Sequence, residues 1–68
     1  MSTIRVNGED RDLNVSTVVD LLRAEDVDPT ARFVAVAVNG EVVPRGRWDS
    51  ATVKDGDDIE IVRPAPGG

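Results

Sequence analysis

"RFVAVAVNGEVVP", residues 32–44, is the stretch whose period decides the fold. Val34, Val36 and Val38 alternate with Ala35 and Ala37, and Phe33 precedes them in the same alternation. A period of two is the period of a strand, so the three valines share one face and Phe33, Ala35 and Ala37 share the other. The larger, branched set is expected to face a core. The small-residue face is left for solvent or a partner. Asn39-Gly40 tolerates positive φ, so the chain is expected to reverse at once into Glu41, Val42 and Val43. Pro44 ends that return strand, because proline has no N–H to give a ladder.

On the N-terminal side, "STIRVNGEDRDL" repeats the same design. Ile4 and Val6 alternate with polar neighbours, and Asn7-Gly8 again supplies a tight turn. The returning Arg11, Asp12 and Leu13 predict a polar strand near a sheet edge. "VSTVVDLLRAEDVDP" then changes period. Val18, Leu21 and Leu22 fall at helical spacing with Val19 beside them, Ser16 is the expected N-cap, and Asp20 suits the positive end of the helix dipole. Pro29 marks the exit region. Beyond the central hairpin, "RGRWDSATVKDG" predicts an irregular connection, Asp55-Gly56-Asp57 a turn, and Ile59 and Ile61, alternating with Glu60 and Val62, a last strand.

One short helix cannot hide its apolar stripe alone and must pack on a sheet. The order hairpin, helix, strand pair, connection, strand is satisfied by an α+β architecture of the β-grasp type. In it a mixed sheet of four or five strands holds one helix, with the first and last strands as central neighbours. Residues 1–63 form that domain, and residues 64–68, "PAPGG", form a tail.

Composition narrows the function. A chain of 68 residues buries only about 60% of its unfolded surface and has little room for an enclosed catalytic pocket. It contains no Cys and no His, which removes disulfides, zinc fingers, thiol nucleophiles and histidine bases together. Thirteen acidic against eight basic residues, a net charge of −5, oppose a nucleic-acid role. No apolar run approaches a membrane span and no signal peptide is expected, so the protein is read as cytoplasmic. No metal site is expected: the carboxylates at Glu25, Asp26 and Asp28, and at Asp55, Asp57 and Asp58, match no calcium loop and read as helix-end and turn residues. Trp48 reads as a packing residue, and Arg45 and Arg47 as solvated loop charges.

The closing "RPAPGG" admits two readings. One is a loose terminus without a role. The other is a carboxylate on a thin stalk. Glycine lets another backbone approach closely, Pro64 and Pro66 limit the conformations lost on docking, and five residues reach roughly 17 Å. A terminal carboxylate, with a reference pKa of about 3.3–3.7, is an anion that resists nucleophiles. Activating it requires ATP, and no phosphate-binding loop occurs in this chain, so that chemistry would belong to a partner.

"NG" after the first strand, "STVVDLL", "VAVAVNGEVVPRGRW", "DGDDIEIV" and the closing "GG" together resemble the ThiS family, the small ubiquitin-like sulfur carriers of thiamine thiazole synthesis. The resemblance implies a β-grasp fold and a carrier that is a protein co-substrate, not an enzyme, with no cofactor of its own. It implies that a ThiF-like adenylating enzyme uses ATP to adenylate the Gly68 carboxylate. Sulfur from a persulfide donor such as a cysteine desulfurase then leaves a Gly68 thiocarboxylate, which a ThiG-like thiazole synthase consumes. Gly68 is the reactive residue. The resemblance makes Gly67 its expected neighbour in the partner's channel and Phe33, Ala35 and Ala37 the expected docking face, while Pro64, Ala65 and Pro66 are expected to complete the partner-binding stalk. The two prolines make the tail richer in proline than the family pattern. Related carriers serve tRNA thiolation, molybdopterin or cysteine synthesis. The rivals from other classes are a ubiquitin-like modifier joined to lysines through Gly68, and a plain interaction domain.

Overall fold

The computed structural model describes residues 2–63. Its strands are β1 (Ser2–Val6), β2 (Glu9–Leu13), β3 (Ala35–Val38), β4 (Glu41–Val43) and β5 (Asp58–Val62), with one α-helix, α1 (Val18–Ala24), and a short 3-10 helix at Arg45–Arg47. The sheet order is β2-β1-β5-β3-β4. β1 and β5 run parallel as neighbours in the middle of the sheet, and every other pairing is antiparallel. The fold is the mixed, helix-holding β-grasp that the element order predicts, with five strands.

Both hairpins turn through left-handed residues. Asn7 and Gly8 have φ of 51° and 83°, and Asn39 and Gly40 have 52° and 84°. Two consecutive positive φ values match the right-handed twist of the flanking strands, which is why Asn-Gly occupies both places. The core lies between the sheet and α1. Ile4, Val6, Val36, Ile59 and Ile61 point inward from the sheet to meet Val18, Leu21 and Leu22, and Val34, Val53 and Trp48 close the rim.

The helix begins one residue later than expected. Thr17, not Ser16, is the N-cap. Its hydroxyl accepts from Asp20 N at 3.2 Å, while the Asp20 carboxylate accepts from Thr17 N at 3.3 Å. Ser16 is still extended, because its carbonyl accepts from Val53 N at 2.9 Å and Thr17 bridges Thr52. The same loop satisfies the first-turn donors, with Val18 N on the Ala51 carbonyl and Val19 N on that of Trp48. The orphan donors of a helix start are thus all paired.

The helix also stops well before Pro29. Asp26 sits at φ 63°, its N–H reaching the Arg23 carbonyl at 3.1 Å, and Val27 N reaches that of Leu22 at 2.8 Å. This is a Schellman ending with aspartate at the left-handed position and the buried Val27 as its apolar clasp.

One further expectation is corrected and one is refined. Phe33 is not on the β3 face: its φ is 64°, the strand starts at Ala35, and the ring is 80% exposed. A left-handed residue breaks the two-residue alternation that placed it there. Arg45 is exposed, as expected, but it is tied down. It donates to the Pro29 carbonyl at 2.8 Å and to that of Ala31 at 2.6 Å, and its guanidinium carbon lies 4.4 Å from the Trp48 ring centre.

Candidate functional site

The outer face of the sheet is built by register. Ala35 stands opposite Val62, and Ala37 stands between Glu60 on β5 and Val42 on β4. Paired residues share a face, so Ala35, Ala37, Val42 and Val62 form one apolar patch on the side away from the helix. Val42 is 75% exposed and Val62 61%. Phe33 precedes β3 by two residues, on a left-handed turn outside the strand.

The other half of this face is charged. Arg5 pairs with Asp58 on β5 and with Asp10 on β2, reaching the Asp10 carboxylate at 3.5 Å. Glu60 separates the two halves. An apolar patch bordered by carboxylates fits a partner surface that is apolar at its centre and basic at its edge.

β5 ends at Val62, and Arg63 is the last described residue. The apolar patch therefore reaches the point from which residues 64–68 depart. Pro64, Ala65, Pro66, Gly67 and Gly68, the expected tail and reactive end, lie outside the described residues. Of the expected docking residues, Ala35 and Ala37 are together on the face and Phe33 stands apart on its turn.

Val42 and Val62 were not singled out as docking residues, although the signal was present. A two-residue turn at Asn39-Gly40 fixes Val42 opposite Ala37, and inward Ile59 and Ile61 send Val62 outward.

The remaining candidate groups are structural. Trp48 is 3% exposed, which confirms it as packing. Asp57 is buried and accepts from Asn39 Nδ2 at 3.0 Å and Lys54 N at 2.8 Å. Asp55 accepts from Thr3 N at 2.6 Å. Asp28 accepts from both Thr30 N and Thr30 Oγ1 at 2.8 Å. The backbone bond, followed by the hydroxyl bond, holds its carboxyl below the ordinary aspartate value. These acids brace turns, and among the described residues no group of three or more His, Cys, Asp or Glu is arranged to hold a metal ion. No helix among them is long and apolar enough to cross a membrane.

Comparison with known proteins agrees with the fold. The crystal structure of the thiamine biosynthesis protein ThiS from Geobacter metallireducens superposes with a TM-score of 0.78 at 38% identity, covering 97% of this chain and 99% of that one. A solution structure of a thiamine biosynthesis protein from the same organism gives 0.77 at 38% identity, covering 97% of this chain and 87% of that one. A stretch of 63 residues, 93% of this chain, is 40% identical to the thiazole synthase of Paramagnetospirillum magneticum (strain ATCC 700264 / AMB-1). That protein is far longer, and the match spans only 19% of it. The profile of the ThiS family matches residues 4–68, and with this fold beneath that match the chain belongs to the ThiS family.

Proposed function

We propose that the chain carries sulfur for thiamine thiazole synthesis on the carboxylate of Gly68. The observation that carries this reading is the family match, which runs from Ile4 through the rest of the domain and onward to Gly67 and Gly68. The small core and the exposed apolar patch beside a charged half of the outer face support a protein that is handled by others and performs no turnover itself.

The chemistry follows from the inertness of a carboxylate. A ThiF-like partner binds ATP, a Gly68 carboxylate oxygen attacks the α-phosphorus, and pyrophosphate leaves. The acyl-adenylate now has AMP as leaving group. The terminal sulfur of a persulfide, formed by a donor such as a cysteine desulfurase, attacks the carbonyl carbon and expels AMP. A second thiol cleaves the resulting acyl disulfide, becoming part of a disulfide itself and leaving the thiocarboxylate. The apolar patch of Ala35, Ala37, Val42 and Val62 docks the partner while Pro64, Ala65, Pro66 and Gly67 lead Gly68 into its channel.

The likeness to a segment of a protein named thiazole synthase supports a thiazole synthase as the acceptor. A cytoplasmic site of action belongs to the same proposal. Reconstitution tests it. The chain, a ThiF-like enzyme, a desulfurase and a thiazole synthase should together form the thiazole, and removal of Gly67 and Gly68 should abolish the product. Product formation unchanged by that removal would refute the reading. Covalent conjugates that vanish with the two glycines would replace it with a protein modifier, and sulfur delivered to tRNA would move the acceptor.

A further inference from the structure

β1 is too short for β5. The parallel ladder covers Arg5 opposite Asp58 and Val6 opposite Ile59 and then runs out, because β1 turns away at Asn7-Gly8. β5 continues to Val62. Its next residue facing β1, Ile61, would be left without backbone partners on that side.

The Asn7 side chain supplies them. Its Oδ1 accepts from Ile61 N at 2.8 Å, and its Nδ2 donates to the Ile61 carbonyl at 3.2 Å. A primary amide carries the same donor and acceptor as a peptide group, so the side chain continues the ladder after the backbone has left it. The Asn7 main chain keeps the regular bond, its N–H on the Ile59 carbonyl at 2.9 Å. One residue therefore makes the hairpin turn and holds β5 two residues past the end of its neighbour. On the opposite side β3 pairs with β5 as far as Val62. Held from both sides, β5 ends at a fixed place, two residues before Pro64.

The second Asn-Gly turn provides the contrast. Asn39 Oδ1 accepts from Asp58 N at 2.9 Å, and its Nδ2 donates to Asp57. It braces the start of β5, at the far end from the tail.

We infer that Asn7 is a positioning residue for the carrier reaction: through its paired hydrogen bonds to Ile61 it fixes the end of β5, the root from which the tail follows. This rests on the function proposed above. A displaced reacting group reduces the rate of a bound complex more than it reduces binding.

The test uses the full chain with its native C-terminus and a ThiF-like enzyme, following pyrophosphate release with the carrier as the varied substrate. Asn7→Gly retains a residue that accepts the turn's positive φ and removes the amide. Asn39→Gly is the matched control. The expected result for Asn7→Gly is a kcat lower by about 10- to 100-fold, the scale of an ångström misplacement, with KM for the carrier little changed. Hydrogen exchange at the Ile61 amide should accelerate. Asn39→Gly should leave kcat unchanged. Asn7→Asp keeps the acceptor for Ile61 N but sets a carboxylate oxygen against the Ile61 carbonyl, so its kcat should fall as well. Equal kcat for Asn7→Gly and wild type, or equal losses for the Asn7 and Asn39 variants, overturns the positioning role. No pyrophosphate release from the wild-type chain refutes the carrier reading itself, and the Asn7 role with it.

Discussion

The indole N–H of Trp48 donates to the Val43 carbonyl at 2.9 Å, folding the loop after β4 back onto the strand it has just left. Arg45 covers the same ring from outside and ties it to the carbonyls of Pro29 and Ala31. These contacts join the helix exit, the end of β4 and the loop that caps the helix start. Trp48→Ala should cost about 3–5 kcal/mol, which rivals the whole stability of a domain this small. Arg45→Ala should cost about 1–2 kcal/mol through the lost ring contact and carbonyl bonds. Urea denaturation measures both. Equal, negligible losses would mean the loop is not held this way.

The two ends of the helix separate residues that look interchangeable in sequence. Thr17→Ala removes the cap and should cost about 1 kcal/mol. Ser16→Ala should stay within about 0.5 kcal/mol. At the other end, Asp26→Gly relieves a left-handed aspartate and should add about 0.5–1 kcal/mol. Chemical denaturation of the three variants checks the assignment, and a reversed order of Thr17 and Ser16 would contradict it.

Asp28 gives a pH signature. Its folded-state carboxyl titrates below the ordinary value of 3.8 because it accepts two bonds from Thr30. A lowered pKa means that the ionised form is favoured by folding. The contribution is therefore present above the unfolded pKa and lost as pH falls through the folded one. A carboxyl carbon titration should show a midpoint below 3.8. In Thr30→Ala it should rise only part of the way, since the backbone bond remains.

The outer face should matter to partners and not to folding. Ala37 lies between Glu60 and Val42 on the solvent side of the sheet. Ala37→Arg should leave the thermal midpoint within a few degrees while raising KM for the carrier by about 30-fold or more, the effect of disrupting an interface centre. Phe33→Ala tests whether the exposed ring on its left-handed turn contributes to the same surface. A variant that melts early without a KM change would assign Ala37 to the fold instead.

Most of the architecture was legible because the signals are local and periodic. The alternation through Val34, Val36 and Val38, the helical spacing of Val18, Leu21 and Leu22, and the two Asn-Gly turns lead directly to the elements observed. What was not legible depends on distant partners. Thr17 replaces Ser16 as cap because Ser16 is paired to Val53, far along the chain. Phe33 leaves the strand face because its backbone is left-handed, a state that composition does not announce for an aromatic residue. Arg45 is recruited by carbonyls on the helix exit. Asn7 looked like a turn residue, and its second role appears only once β5 is seen running past β1.

The central claim is that Gly68 carries sulfur, and the missing cysteines make it directly measurable. The chain contains no thiol, so any thiol-selective alkylation reports a new sulfur. The chain, with its native C-terminus, is incubated with ATP, cysteine and source-cell extract, repurified, alkylated, and mapped by the mass of its C-terminal peptide. Localisation matters, because replacing oxygen by sulfur nearly matches the mass gained on oxidising Met1. The account predicts ATP-dependent alkylation at Gly68. An unlabelled chain, in extract that charges a known carrier, would contradict it.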